Sequence, residues 1–131
     1  MDQTVDPEDF FSALANLTRL RCLLLLQSQG ELCVCELTVA TGKSQPMISR
    51  HLARLRESGI VTGRREGLWI YYRLHPELPD WAREVLGAAA SGLAGSERIR
   101  DDLSSLSALP NRTGPACCKS PPVRNKGVDR P

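Results

Sequence analysis

Two cysteines, Cys33 and Cys35, stand one residue apart in the stretch ELCVCEL, an apolar segment flanked by Glu31 and Glu36. Three chemistries suit such a pair: two small buried hydrophobes, a redox couple, or ligands for a soft ion. Geometry narrows the third. Within a regular helix, side chains two residues apart point about 200° away from each other, so neither can join the other on one ion. In an extended strand they share a face but stand roughly 7 Å apart, at about 3.3 Å per residue. Chelation therefore requires the pair to straddle the point where an extended or irregular segment enters a helix. The helix dipole there favours thiolate, and the two glutamates oppose it. A four-coordinate zinc site wants two more good ligands, and no His or further Cys lies close in sequence. A three-coordinate, lone-pair-bearing ion such as As(III) or Sb(III) needs fewer. A disulfide closed between two such near neighbours is strained, which weighs against the redox couple. Of the other cysteines, Cys22 falls inside an apolar run and reads as core, while Cys117 and Cys118 are adjacent in the C-terminal segment.

A second constellation lies just downstream. From Gln45 to Glu57, Ile48, Leu52 and Leu55 share one helical face; rotation by about 100° per residue puts Pro46, Ser49, Arg50, Ala53 and Arg54 opposite. Gln45, Ser49, Arg50 and Arg54 can reach base edges or phosphates in a major groove, Gln and Arg being able to bond in bidentate fashion. Ser44 and the backbone amides it precedes suit a phosphate. Arg64 and Arg65 suit the phosphate backbone or the adjacent minor groove. His51 straddles core edge and surface, so packing and phosphate contact both remain open for it.

The elements that must position these groups follow from local signals. Asp6-Pro7 reads as a cap and first turn of a helix to Ala15. Thr18 to Gln29 reads as a mostly buried helix ended by Gly30, with Arg19 and Arg21 outward. Cys35 to Thr41 forms a short helix stopping at Gly42, and Ser44 caps the next, Gln45 to Glu57. Two helices joined by a short glycine-bearing turn make a helix-turn-helix. IVTGRREGLWIYYRL then alternates with period two around a turn at Glu66-Gly67, a β-hairpin with Arg64 and Arg65 at its tip. Helices over Asp80 to Ala94 and from Ser96 to Leu106 complete a mainly α, α+β winged helix-turn-helix domain spanning 1–109. From Pro110 the Pro-rich composition reads as a flexible tail, 110–131.

Composition limits the partners. A net charge of +2 over 131 residues does not by itself announce a nucleic-acid binder, so that reading rests on where the charges sit. The acidic N-terminus lacks a signal-peptide layout and the longest apolar run is far too short to span a bilayer, so a cytoplasmic protein without membrane contact is expected. In that compartment thiols or metal ligands outrank structural disulfides. No general base, phosphate-binding loop or partnered nucleophile argues for an enzyme.

ELCVCEL, SQPMISRHLARLRESGIV and RREGLWIYYRL together resemble the ArsR/SmtB family of metal- and metalloid-responsive repressors, particularly its arsenical-resistance branch, over about residues 8–93. The resemblance implies a homodimer paired through the first and last helices, bound to double-stranded operator DNA when ion-free and released by the ion, with no organic cofactor. It places Cys33 and Cys35 at the inducer thiols, Gln45, Ser49 and His51 in the recognition helix, and Arg64, Arg65 and Gly67 in the wing. Arsenic-type members often carry a third cysteine where this chain has Thr38, so the third sulfur must come from Cys117 or Cys118 of either chain, or be absent. Cadmium- and lead-sensing relatives add N-terminal cysteines that this chain lacks, which favours As(III) or Sb(III). The zinc site of the family's last helix needs histidine, and 80–94 has none. The alternatives are a Cd(II)/Pb(II) sensor or a redox-sensing repressor on the same fold.

Overall fold

The computed structural model describes residues 5–109. Cys117 and Cys118 lie outside them. Asp6 accepts the Asp9 amide and Pro7 fills the first position of α1 (Pro7–Leu14). Asn16 caps α2 (Leu17–Gln29) through the Arg19 amide. After β1 (Glu31–Cys33), α3 (Val34–Thr41) ends at Gly42, whose φ of 75° is left-handed. Ser44 caps α4 (Gln45–Glu57) by accepting the Met47 amide. The hairpin β2 (Val61–Glu66) and β3 (Trp69–Leu74) leads to α5 (Asp80–Leu93) and α6 (Glu97–Ser107).

The core is built from one face of each helix. Leu23, Leu25 and Leu26 of α2, Leu37 of α3, Ile48, Leu52 and Leu55 of α4, Leu86 of α5 and Leu106 of α6 are all buried in a single cluster. Each such side chain withdrawn from water contributes roughly 1.5–3 kcal/mol before its entropy is counted.

Three features depart from the expectations above. First, the hairpin is part of a three-stranded sheet of order β1-β3-β2, in which Glu31, Leu32 and Cys33 pair antiparallel with Arg73, Tyr72 and Tyr71. A three-residue strand is too short to show any period. Second, the tip is Gly67-Leu68, closed by the Glu66–Trp69 pair; Arg64 and Arg65 sit back along β2, opposite Tyr71 and Ile70. Third, Arg21 is not outward. It is 5% exposed and gives two hydrogen bonds of 2.8 Å to Asp102 of α6 and one of 2.8 Å to the Thr41 carbonyl at the end of α3. The face of α2 that a single helix would leave wet is covered by α6, which packs on both α2 and α3.

Candidate functional site

The β1–α3 junction is the boundary that chelation requires. Cys33 ends β1 in extended conformation (φ −90°, ψ 169°) and is the N-cap of α3, with Cys35 in the first helical turn. The two Sγ atoms lie 3.2 Å apart, Cys33 buried and Cys35 half-buried. Thiolate–metal bonds of about 2.3 Å place two sulfurs about 3.8 Å apart at a tetrahedral centre, but only about 3.2 Å apart when the angle at the ion is near 90°. A separation of 3.2 Å puts both sulfurs within reach of one ion.

The surroundings of the sulfurs are defined by the sheet. Alternation along the strands sends Leu32, Ile70 and Tyr72 to the main core and Cys33, Trp69 and Tyr71 to the opposite face, where Cys35 joins them in a second, small cluster. Glu36, buried, accepts the Cys33 amide at 2.8 Å, which fixes the first turn of α3. Thr38, at the position in question for a third ligand, gives its hydroxyl to the Val34 carbonyl at 2.9 Å and so serves its own helix. Among the described residues no group of three His, Cys, Asp or Glu side chains converges to hold an ion. Cys22 is buried inside α2, and burial pushes its thiol up to about 12, leaving it protonated and inert at neutral pH.

The outer face of α4 presents Gln45, Ser49 and Arg50 to solvent, with Pro46 half-buried beside them. Ser44 is exposed at the head of the helix. Arg54 is exposed and donates to Ser12 of α1 at 3.1 Å. His51 faces α2: its Nδ1 lies 3.3 Å from Arg19 Nη1, while Arg19 also donates to the Ala13 and Ser12 carbonyls. Burial, then the cations Arg19, Arg50 and Arg54, lower the His51 pKa, so the ring is neutral at pH 7.

On the wing the two arginines part company. Adjacent residues of a strand point to opposite faces. Arg65 is exposed, and no ion pair among the described residues engages it. Arg64 instead donates from Nε and Nη2 to both carboxylate oxygens of Glu31, at 2.9 Å each, and from Nη1 to Glu66 at 2.6 Å. The hydrogen bonds from Arg64 hold the Glu31 carboxyl below its ordinary value. Gly67 turns the tip with φ 63°, and the Leu68 side chain beyond it is 86% exposed.

Sequence reasoning anticipated the strand-to-helix junction at Cys33 and Cys35 and the exposed outer face of α4, but missed Glu31 as the partner of Arg64 and Tyr71 as the cross-strand neighbour of Cys33. Both depend on β1 pairing.

The sequence model of the bacterial regulatory protein arsR family matches residues 16–62. The arsenic resistance transcriptional regulator ArsR2 of Pseudomonas putida is 46% identical over 117 residues, covering 87% of this chain and 99% of that one. This chain belongs to the ArsR family. The arsenical resistance operon repressor of Escherichia coli K12 is 52% identical over 83 residues, 63% of this chain and 71% of its own. Among solved structures, the antimony-specific transcriptional repressor AntR superposes with a TM-score of 0.57 at 32% identity, covering 68% of this chain and 78% of that one. As an ArsR-family protein the chain is a winged-helix transcriptional repressor and not an enzyme. No helix among its described residues is long and apolar enough to cross a membrane.

Proposed function

We propose that this ArsR-family repressor binds double-stranded operator DNA as a homodimer in the cytoplasm and is released when As(III) or Sb(III) binds Cys33 and Cys35. The observation that carries the reading is the 3.2 Å separation of the two sulfurs at a strand-to-helix junction. It puts both sulfurs within reach of one ion, at the head of the helix packed against the reading helix. The arsenic and antimony named in its relatives' descriptions support the same ions. Cys117 or Cys118 supplies the third sulfur, since Thr38 is committed to Val34.

Ser44, Gln45, Pro46, Ser49 and Arg50 form the groove-facing surface, flanked by Arg54, with Arg65 and Gly67 on the wing. His51 braces α4 against Arg19. The homodimer is supported by an apolar patch that one chain leaves bare: Phe11 and Leu17 are half exposed and Trp81 is 37% exposed. Phe11 and Trp81 stack at 6.0 Å, joining α1 to α5 as one surface.

Recruitment of the third sulfur to an ion on Cys33 and Cys35 pulls on the first turn of α3, and the strain passes to α4 through their shared core. By linkage, operator DNA weakens ion affinity by the same factor that the ion weakens operator affinity. The test is operator release by As(III), Sb(III), Cd(II), Pb(II) and Zn(II), with and without residues 110–131. Replacing both Cys33 and Cys35 by Ser is expected to leave operator binding intact and abolish release. Retained release, or release by oxidant alone with reversal by dithiothreitol, overturns the proposal. Deleting the tail is expected to weaken As(III) response.

A further inference from the structure

Arg64, Tyr71 and Cys33 lie in one row across the sheet. Cys33 pairs with Tyr71 on β3, and Tyr71 pairs on its other side with Arg64 on β2. Directly paired residues point to the same face, so the sulfur of Cys33, the Tyr71 ring and the Arg64 side chain share the face away from the main core. Glu31, two residues before Cys33, faces the same way. The Arg64 guanidinium passes over the Tyr71 ring at 4.9 Å from its centroid and closes a two-pronged pair with Glu31, crossing the whole sheet from β2 to β1. Its remaining prong holds Glu66, the last residue before the turn.

We propose that Arg64 is a positioning residue, not a phosphate contact: it ties the sulfur-bearing strand to the wing, so the state of Cys33 sets the pose of Arg65 and the tip. The inference rests on the reading of Cys33 and Cys35 as the inducer site. To reach a phosphate, Arg64 must leave two carboxylates, and those carboxylates would then repel the same phosphate. Arg65 faces the other way, exposed, and carries no such burden. The bidentate fork is a geometric device that a lysine, a point charge on a flexible stem, does not reproduce. Capture of an ion by Cys33 and Cys35 acts on the end of β1, whose register with Tyr71 and whose Glu31 clamp carry the displacement to Arg64, and from there through Glu66 to the turn.

The test uses full-length protein and an operator duplex, with affinity measured by fluorescence anisotropy over a range of salt, with and without arsenite. Losing a phosphate contact lowers the slope of log affinity against log salt by about one per wing. Arg65→Gln is expected to lower it by that amount, and Arg64→Gln by less than half as much. The ratio of operator affinities without and with arsenite is expected to fall at least threefold in Arg64→Gln, in Arg64→Lys and in Glu31→Gln. Arsenite uptake, followed by ultraviolet thiolate absorption, stays intact in all three. Glu31→Gln is the isosteric variant that breaks the clamp without touching the hairpin. If Arg64→Gln lowers the salt slope as Arg65→Gln does and keeps the wild-type arsenite ratio, Arg64 is a DNA contact and the proposal fails. If the wild-type protein shows no arsenite-dependent release, the inducer reading fails instead, and the salt slopes alone still decide whether Arg64 meets phosphate.

Discussion

His51 shows how one side chain on a reading helix can serve the scaffold. Its ring lies against Arg19, which in turn holds the carbonyls closing α1, so the imidazole links α4 to α1 and α2. Burial and three nearby arginines lower its pKa below the ordinary 6.5. The folded state therefore takes up this proton less readily than the unfolded chain. The stability His51 contributes is present above pH 6.5 and is lost as pH falls through the window between that value and the lowered folded one. NMR titration of the ring is expected to give a midpoint under 6.5. Stability to urea is expected to fall between pH 7 and pH 5 more in the wild type than in His51→Gln. A ring titrating at or above 6.5 contradicts this account.

Among the elements, α4 depends on Ser44 in two separable ways. Its hydroxyl oxygen accepts the Met47 amide, satisfying one of the donors that a helix start leaves open. Ser44→Ala is expected to cost about 1 kcal/mol in denaturant unfolding. Ser44→Asp keeps a capping oxygen and favours the helix dipole, so stability is retained, yet it sets a negative charge where DNA phosphate is proposed to lie. Operator affinity is then expected to drop while the melting temperature does not. The helix ends were legible in the sequence because they are local: Asp6-Pro7, Ser44 and Gly42 each act through a few neighbouring residues. The hairpin was legible in its strands but not in its tip. The alternating pattern does not say which pair closes the turn, and Glu66–Trp69 pairing moves Arg64 and Arg65 down the strand.

Across the whole molecule, the Arg21–Asp102 pair joins residues 81 positions apart and anchors α6 over α2 and α3, the helix that follows Cys33. Both side chains are buried, so removing one partner leaves a charge without solvent or counterion. Arg21→Met or Asp102→Ala is expected to destabilise the fold by about 3–5 kcal/mol, while Arg21→Met combined with Asp102→Leu recovers most of it, as read by urea unfolding. Additive losses in that cycle would show that the pair is not the link. The helix-turn-helix, the apolar stripe of α4 and the need for a strand-to-helix boundary at Cys33 and Cys35 are written in the local sequence. Those rest on caps, periodicity and backbone geometry over a few residues. That β1 joins the wing, that Arg21 is buried and that Arg64 grips Glu31 emerges only in the folded chain. Each needs chain segments 33 to 81 residues apart to meet, and no local pattern encodes such a meeting.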